Sequence, residues 1–191
     1  MPYAWYEQVP PTAPLSQGDL LCACPVVRWS DDPSRQVLPL QQSLVGEEVD
    51  CVVMSQACDL EHGNIRNVIA CPVYTLTEYK PLWRGAVEVS RQNPTEKSWQ
   101  RHLDDISKGS IWNLSMINAH SPAEENALRA EIRLVDFHEI LSLPRIFLEA
   151  WTIRTGAPRL RLLPPYREHL SQAFARYFMR VGLPLDIEKN W

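Results

Sequence analysis

Residues 49–74 read VDCVVMSQACDLEHGNIRNVIACPVY, two apolar runs around a polar centre. The first run, residues 49–56, is built on Cys51, Val52, Val53 and Met54, apolar and partly β-branched, and predicts a strand. The second, residues 67–74, carries Val68, Ile69, Ala70, Cys71 and Val73 and predicts another. Between them Asp59, His62, Gly63 and Asn64 have turn-forming chemistry. Two strands around about ten loop residues predict an antiparallel hairpin with a wide, solvent-facing mouth. Symmetric pairing about that mouth would set Cys51 beside Cys71 as neighbouring core thiols.

Outward from this hairpin, Gly18-Asp19 opens an apolar stretch that predicts a strand over 20–29. Residues 30–48 lack a long apolar run and read as a long loop. Residues 75–110 are mixed, with a short helix expected over 95–105 behind a Thr or Asn cap. Strands are expected over 111–117, 130–137 and 159–163, and a short helix over 144–154, with Pro144 at its start. The clearest helix is the last. Tyr166, Leu170, Phe174, Tyr177 and Val181 recur at three- and four-residue steps, and Gly182 and Pro184 stop it.

The chain has 191 residues, 45% of them hydrophobic and 22% charged, ordinary values for a globular chain that can bury a core without staples. One domain is expected over 1–191: an irregular proline-rich arm at 1–17, a barrel with insertions at 18–137 and a helical C-terminal extension at 138–191. The formal net charge of −4 argues against generic DNA coating. No run of about 18 apolar residues predicts a membrane span. The N-terminal residues lack the basic start and apolar run of a signal peptide. The 5 cysteines are an odd number without secreted-scaffold spacing, which points to free thiols in a reducing cytoplasm.

The order of segments carries a resemblance. Gly18-Asp19-Leu20-Leu21, Val52-Val53-Met54-Ser55 and Val68-Ile69-Ala70-Cys71-Pro72-Val73, spread over about residues 16–76, resemble the MazF/PemK-like toxins. The resemblance implies a mainly β fold with helices (α+β), an SH3-like small β-barrel elaborated here by C-terminal helices. It implies a toxin–antitoxin or bacterial defence setting, RNA binding, a possible homodimer and cleavage of single-stranded RNA. It also implies an Arg-Pro pair before the second strand and a Ser or Thr after the third. The first falls near Val49-Asp50, where no Arg-Pro stands; the second falls near Thr75 or Thr77. Without that arginine, charge developing on a phosphate loses a fixed counter-charge.

Three constellations carry candidate chemistry. Ser55, Gln56, Cys58, Asp59 and His62 cluster at the hairpin mouth, where loop residues on a rigid scaffold serve function. Cys58, with Asp59 beside it and His62 four residues on, is a candidate nucleophile; the same residues also suit ligand contact, or a capped turn around a small buried thiol. Next, Cys22 and Cys24 alternate on a strand and are expected to share a face. Cys-x2-Cys knuckles are absent, so neither a metal nor a cofactor is expected. Finally, His169, Gln172, Arg176 and Arg180 follow helical spacing and form one stripe, preceded by Arg159 and Arg161. Such a patch suits a phosphate, a nucleotide, RNA or an acidic partner protein, and equally a solvated helix face. The 7 tryptophans suit core packing, with one or two left to stack bases. The expected function is a non-catalytic or weakly catalytic module binding a protein partner or an anionic ligand at the barrel mouth. The alternatives are a MazF-like endoribonuclease and a thiol enzyme using Cys58.

Overall fold

The 49–74 stretch does pair on itself. In the computed structural model, which describes residues 4–32, 34, 39–125 and 127–179, it supplies two antiparallel strands with Cys51 opposite Pro72, Val52 opposite Cys71 and Val53 opposite Ala70. Alternate residues of a strand point to opposite faces. One face of the pair therefore carries Cys51, Val53, Val68 and Ala70, and the other carries Val52, Met54, Cys71 and Val73. Both faces are buried in separate cores. That is why residues 51–54 form an unbroken apolar run instead of alternating with polar residues.

In chain order the elements are β1 (Tyr6–Val9), β2 (Leu20–Trp29), α1 (Leu40–Ser43), β3 (Leu44–Val53), α2 (Ala57–Glu61), β4 (Asn67–Thr75), α3 (Leu76–Val89) and α4 (Glu96–Ser107). They continue with β5 (Leu114–Ile117), β6 (Arg133–Asp136), β7 (Leu141–Pro144), α5 (Arg145–Thr155), β8 (Arg159–Leu162) and α6 (Tyr166–Phe178). The fold is α+β with antiparallel pairing throughout the described ladders. The main sheet runs β2-β3-β4-β6-β5, with β7 on the first half of β4, and among the described residues it stays open. Its first face packs on Leu148 and Trp151 of α5. Its second packs on Tyr6 of β1, Leu160 and Leu162 of β8 and Leu170 of α6.

Several elements depart from the sequence expectation. The N-terminal arm is not wholly irregular: Tyr6–Val9 forms a two-stranded sheet with β8. Four residues flanked by prolines carry too little periodicity to announce a strand whose partner lies near the other end of the chain. The bend of the hairpin is the short helix α2 rather than a plain turn. The loop expected to run to residue 48 ends earlier, because β3 already starts at Leu44 and pairs there with Trp29. Residues 76–89, read as mixed, form α3. Its start carries a capping box: Glu78 N–H donates to Thr75 Oγ1 (3.2 Å), and Thr75 N–H donates to Glu78 Oε2 (2.8 Å). Thr75, the position that the family resemblance singled out, thus spends its hydroxyl on a helix start, and Thr77 sits exposed in the first turn.

Candidate functional site

Each residue of the hairpin mouth has a distinct local task. Ser55 is buried, and its Oγ accepts the Ile69 N–H at 2.8 Å, stitching the ends of β3 and β4. Gln56 leads into α2 in extended conformation and accepts a weak hydrogen bond from Cys58 Sγ at 3.7 Å. Asp59 is half-buried in the first turn of α2. His62 closes the helix through its N–H on Cys58 O, and Gly63, at φ +71°, reverses the chain. Cys58 and His62 are four residues apart and exposed on one side of this helix. Its other side, Ala57, Leu60 and Glu61, lines a cleft of about 610 Å³ against the N-terminal arm and α5. The bend is open to solvent, as expected. The candidate nucleophile and its histidine are on the side turned away from that cleft.

The helix stripe forms a different cleft. His169 and Arg176 of α6 face Ser107 at the end of α4 and Trp112 and Ser115 around β5, enclosing about 240 Å³. The Arg176 guanidinium lies 5.1 Å from the centre of the Trp112 ring, a cation–π distance. Trp112 keeps 45% of its surface exposed. Below them Trp5 stacks on Tyr166, with ring centres 3.7 Å apart and planes within 9°. Among the described residues no carboxylate pairs with Arg176. Arg180, the remaining basic member of the expected stripe, lies outside the described residues.

Mouth and stripe do not converge. Gln17 Nε2 donates to both Met54 O (3.1 Å) and Ser171 Oγ (3.2 Å), which sets α6 beside the end of β3. At about 100° per residue, however, Ser171 lies roughly 200° round the helix from His169. The face of α6 near the mouth is therefore not the one that carries His169 and Arg176.

Comparison with protein-family models, with curated proteins and with solved structures found no match. The residues alone must therefore carry the functional reading.

Three expected groupings are rearranged. Arg159 and Arg161 are not part of a phosphate patch: both bind the fully buried carboxylate of Asp19, further donors reach carbonyls of Pro10, Ala13 and Pro14, and Arg161 Nη1 lies 3.9 Å from Glu7 Oε1. Cys51 and Cys71 are not neighbours. One-residue offset pairing sends them to opposite faces, and Cys51 instead contacts Cys24. Nor do Cys22 and Cys24 share a face. A bulge in β2 between Leu21 and Cys24, with Ala23 at φ +53°, leaves Cys22 exposed and Cys24 buried. Among the described residues no cluster of three or more His, Cys, Asp or Glu side chains is arranged to hold a metal ion. Sequence reasoning missed Trp112 as the partner of Arg176, because nothing distinguishes it from the other tryptophans. It also missed Asp19, for which Gly18-Asp19 and the Arg-x-Arg of β8 were the available signals.

Proposed function

We propose that this chain is a non-catalytic binding module for a phosphate-bearing ligand of the single-stranded RNA or nucleotide class, seated in the α6–β5 cleft. The observation that carries this reading is Arg176 lying over a half-exposed Trp112, with His169 in the same cleft. A base can stack on a half-exposed indole whatever the base's identity. Arginine presents several donors in a fixed fork that fits phosphate oxygens. The resemblance to MazF/PemK-like barrels, with their SH3-like core, supports RNA as the source of those phosphates. The toxin- or defence-like setting rests on that resemblance alone.

The test is titration of the protein with a short labelled single-stranded RNA, read by tryptophan fluorescence and anisotropy. Saturable binding is expected, with Trp112→Ala and Arg176→Ala each weakening it at least about tenfold, a stacked base contributing ~1–3 kcal/mol. Cys58→Ser is expected to bind like the parent chain. Binding indifferent to both cleft variants removes the reading. A stable protein partner recovered without RNA binding favours the partner-protein reading, and cleavage of the RNA favours the endoribonuclease reading.

A further inference from the structure

The bulge in β2 has a neighbour that the α6–β5 cleft does not use. Ala23 holds a left-handed backbone at φ +53°, a conformation that costs a non-glycine residue energy and needs support from its surroundings. The support is Asp50: its Oδ1 accepts the Ala23 N–H at 2.8 Å, and its Oδ2 accepts from Arg133 Nη1 at 2.8 Å. The bulge turns the Cys22 side chain toward this pair, and the charges of both Asp50 and Arg133 act on its thiol. It also opens a cavity of about 440 Å³ between β2, β8, the end of α5 and the segment before β6. That volume falls within the ~300–1,000 Å³ of small-molecule sites.

The lining has two characters. Leu20, Leu21, Leu128, Trp151 and Leu160 give it apolar walls, and Arg129 and Arg133 bring positive charge that outweighs the Glu48 carboxylate of the same lining. Arg133 is only 14% exposed, and its Nε is buried without a hydrogen-bond partner. A buried donor on a charged group is seldom left unmade without reason. Asp50 engages the guanidinium through Nη1 and is itself shared with Ala23, so the group that lines the cavity keeps donor capacity beyond this pair.

We propose that this cavity binds a small organic carboxylate with an apolar body. The carboxylate accepts from the Arg133 guanidinium where it lines the cavity, with Arg129 beside it, and the body lies against Leu128, Trp151 and Leu160. None of the cavity residues lines the α6–β5 cleft, so the two readings stand or fall separately.

Calorimetric titration of the whole chain with phenylacetate and octanoate, and with phenylacetamide as the neutral counterpart, tests this. Saturable binding of an acid is expected, at least tenfold tighter than the amide. A saturating acid is expected to slow alkylation of Cys22 at least tenfold and to leave Cys58 unaffected. Arg133→Gln, checked for folding by its thermal transition, is expected to weaken the acid at least tenfold. Trp112→Ala is expected to bind it normally. Absence of saturable binding, equal affinity for acid and amide, or an unprotected Cys22 overturns the proposal. Full affinity in Arg133→Gln does the same. If that variant does not fold, the acid–amide contrast and the Cys22 protection decide on the parent chain.

Discussion

Arg159 holds its Nε 2.7 Å from Oδ2 of Asp19, and neither side chain has more than 5% of its surface in water. Arg161 binds the other oxygen of the same carboxylate. One buried carboxylate between two guanidinium groups thus joins the start of β2, strand β8 and the N-terminal arm. Truncating one partner of a buried ion pair leaves the others charged and unpaired, a loss of about 3–5 kcal/mol. Asp19→Ala is therefore expected to lower the unfolding free energy by that amount, read as a lower urea midpoint at an unchanged slope. A variant within about 1 kcal/mol of the parent would show that the carboxylate is not a keystone.

Two glycines at positive φ separate strain from crowding. A Cβ at Gly63 (φ +71°) would approach only the tip of the Arg145 side chain, at 3.0 Å, and a guanidinium on a long stem can swing away. A Cβ at Gly18 (φ +85°) would meet Leu162 Cβ at 2.9 Å, and Leu162 is pinned by its ladder to Tyr6. Gly63→Ala is expected to cost about 1 kcal/mol, the left-handed penalty alone. Gly18→Ala is expected to cost clearly more, because β8 must also move. Denaturant unfolding of both variants ranks them, and the reverse order would contradict the packing of Gly18 under β8.

The contrast between Gly18 and Gly63 also shows what could be read from the chain and what could not. The 49–74 hairpin was legible because its two apolar runs and the turn residues between them are local signals, and the bend does face solvent. The last helix was legible through its three- and four-residue spacing as far as Phe178, where it ends, while Val181 and the stop expected at Gly182 and Pro184 lie outside the described residues. The capping box Thr75–Glu78 was equally local and marks a helix start that the mixed composition of 75–110 obscured. Pairings between distant segments were not legible. Nothing in Tyr6–Val9 names Leu162 as its partner. The face that a cysteine takes depends on the bulge at Ala23, which alternation rules do not foresee. The charged stripe on α6 was visible as spacing, but its cleft depends on Trp112, brought in by the tertiary fold. Arg159 and Arg161 read as a surface patch only because the burial of Asp19 is a tertiary fact.

The cysteines make the strand register measurable. Cys24, Cys51 and Cys71 are buried, while Cys22 and Cys58 are exposed. In the native state two thiols are therefore expected to react with a disulfide reagent, and all five only after unfolding. Partial burial and the neighbouring Asp50 carboxylate raise the Cys22 thiol above its ordinary range, against the pull of Arg133. At pH 8 Cys22 is thus expected to lag behind a free cysteine, since the thiolate is the reacting form. Asp50→Asn is expected to quicken it several-fold by removing the negative neighbour. Rates from mass-resolved alkylation check both statements; fast labelling of Cys51 in the folded chain would disprove the register.

His102 ties the α3–α4 pair to pH. Its ring stacks on Tyr79 at 5.9 Å with planes within 8°, lies near Trp83 and Trp99, and sets Nε2 3.3 Å from Tyr79 Oη. Burial among these rings disfavours the charged form and lowers the pKa, and the Asp105 carboxylate only partly offsets it. The unfolded chain therefore takes up this proton at a higher pH than the folded one does. Stability from the neutral ring is complete above the unfolded value of about 6.5. It is lost as pH falls from there through the lower folded value. The loss is modest, because the residue is only partly buried and solvent screening weakens it. His102→Phe keeps an aromatic ring in the stack and removes the titration. Its urea midpoint is expected to change less between pH 7.5 and pH 5.5 than that of the parent chain. An equal change in both proteins would mean that other groups set the acid sensitivity, and that the ring pack accommodates imidazolium without cost.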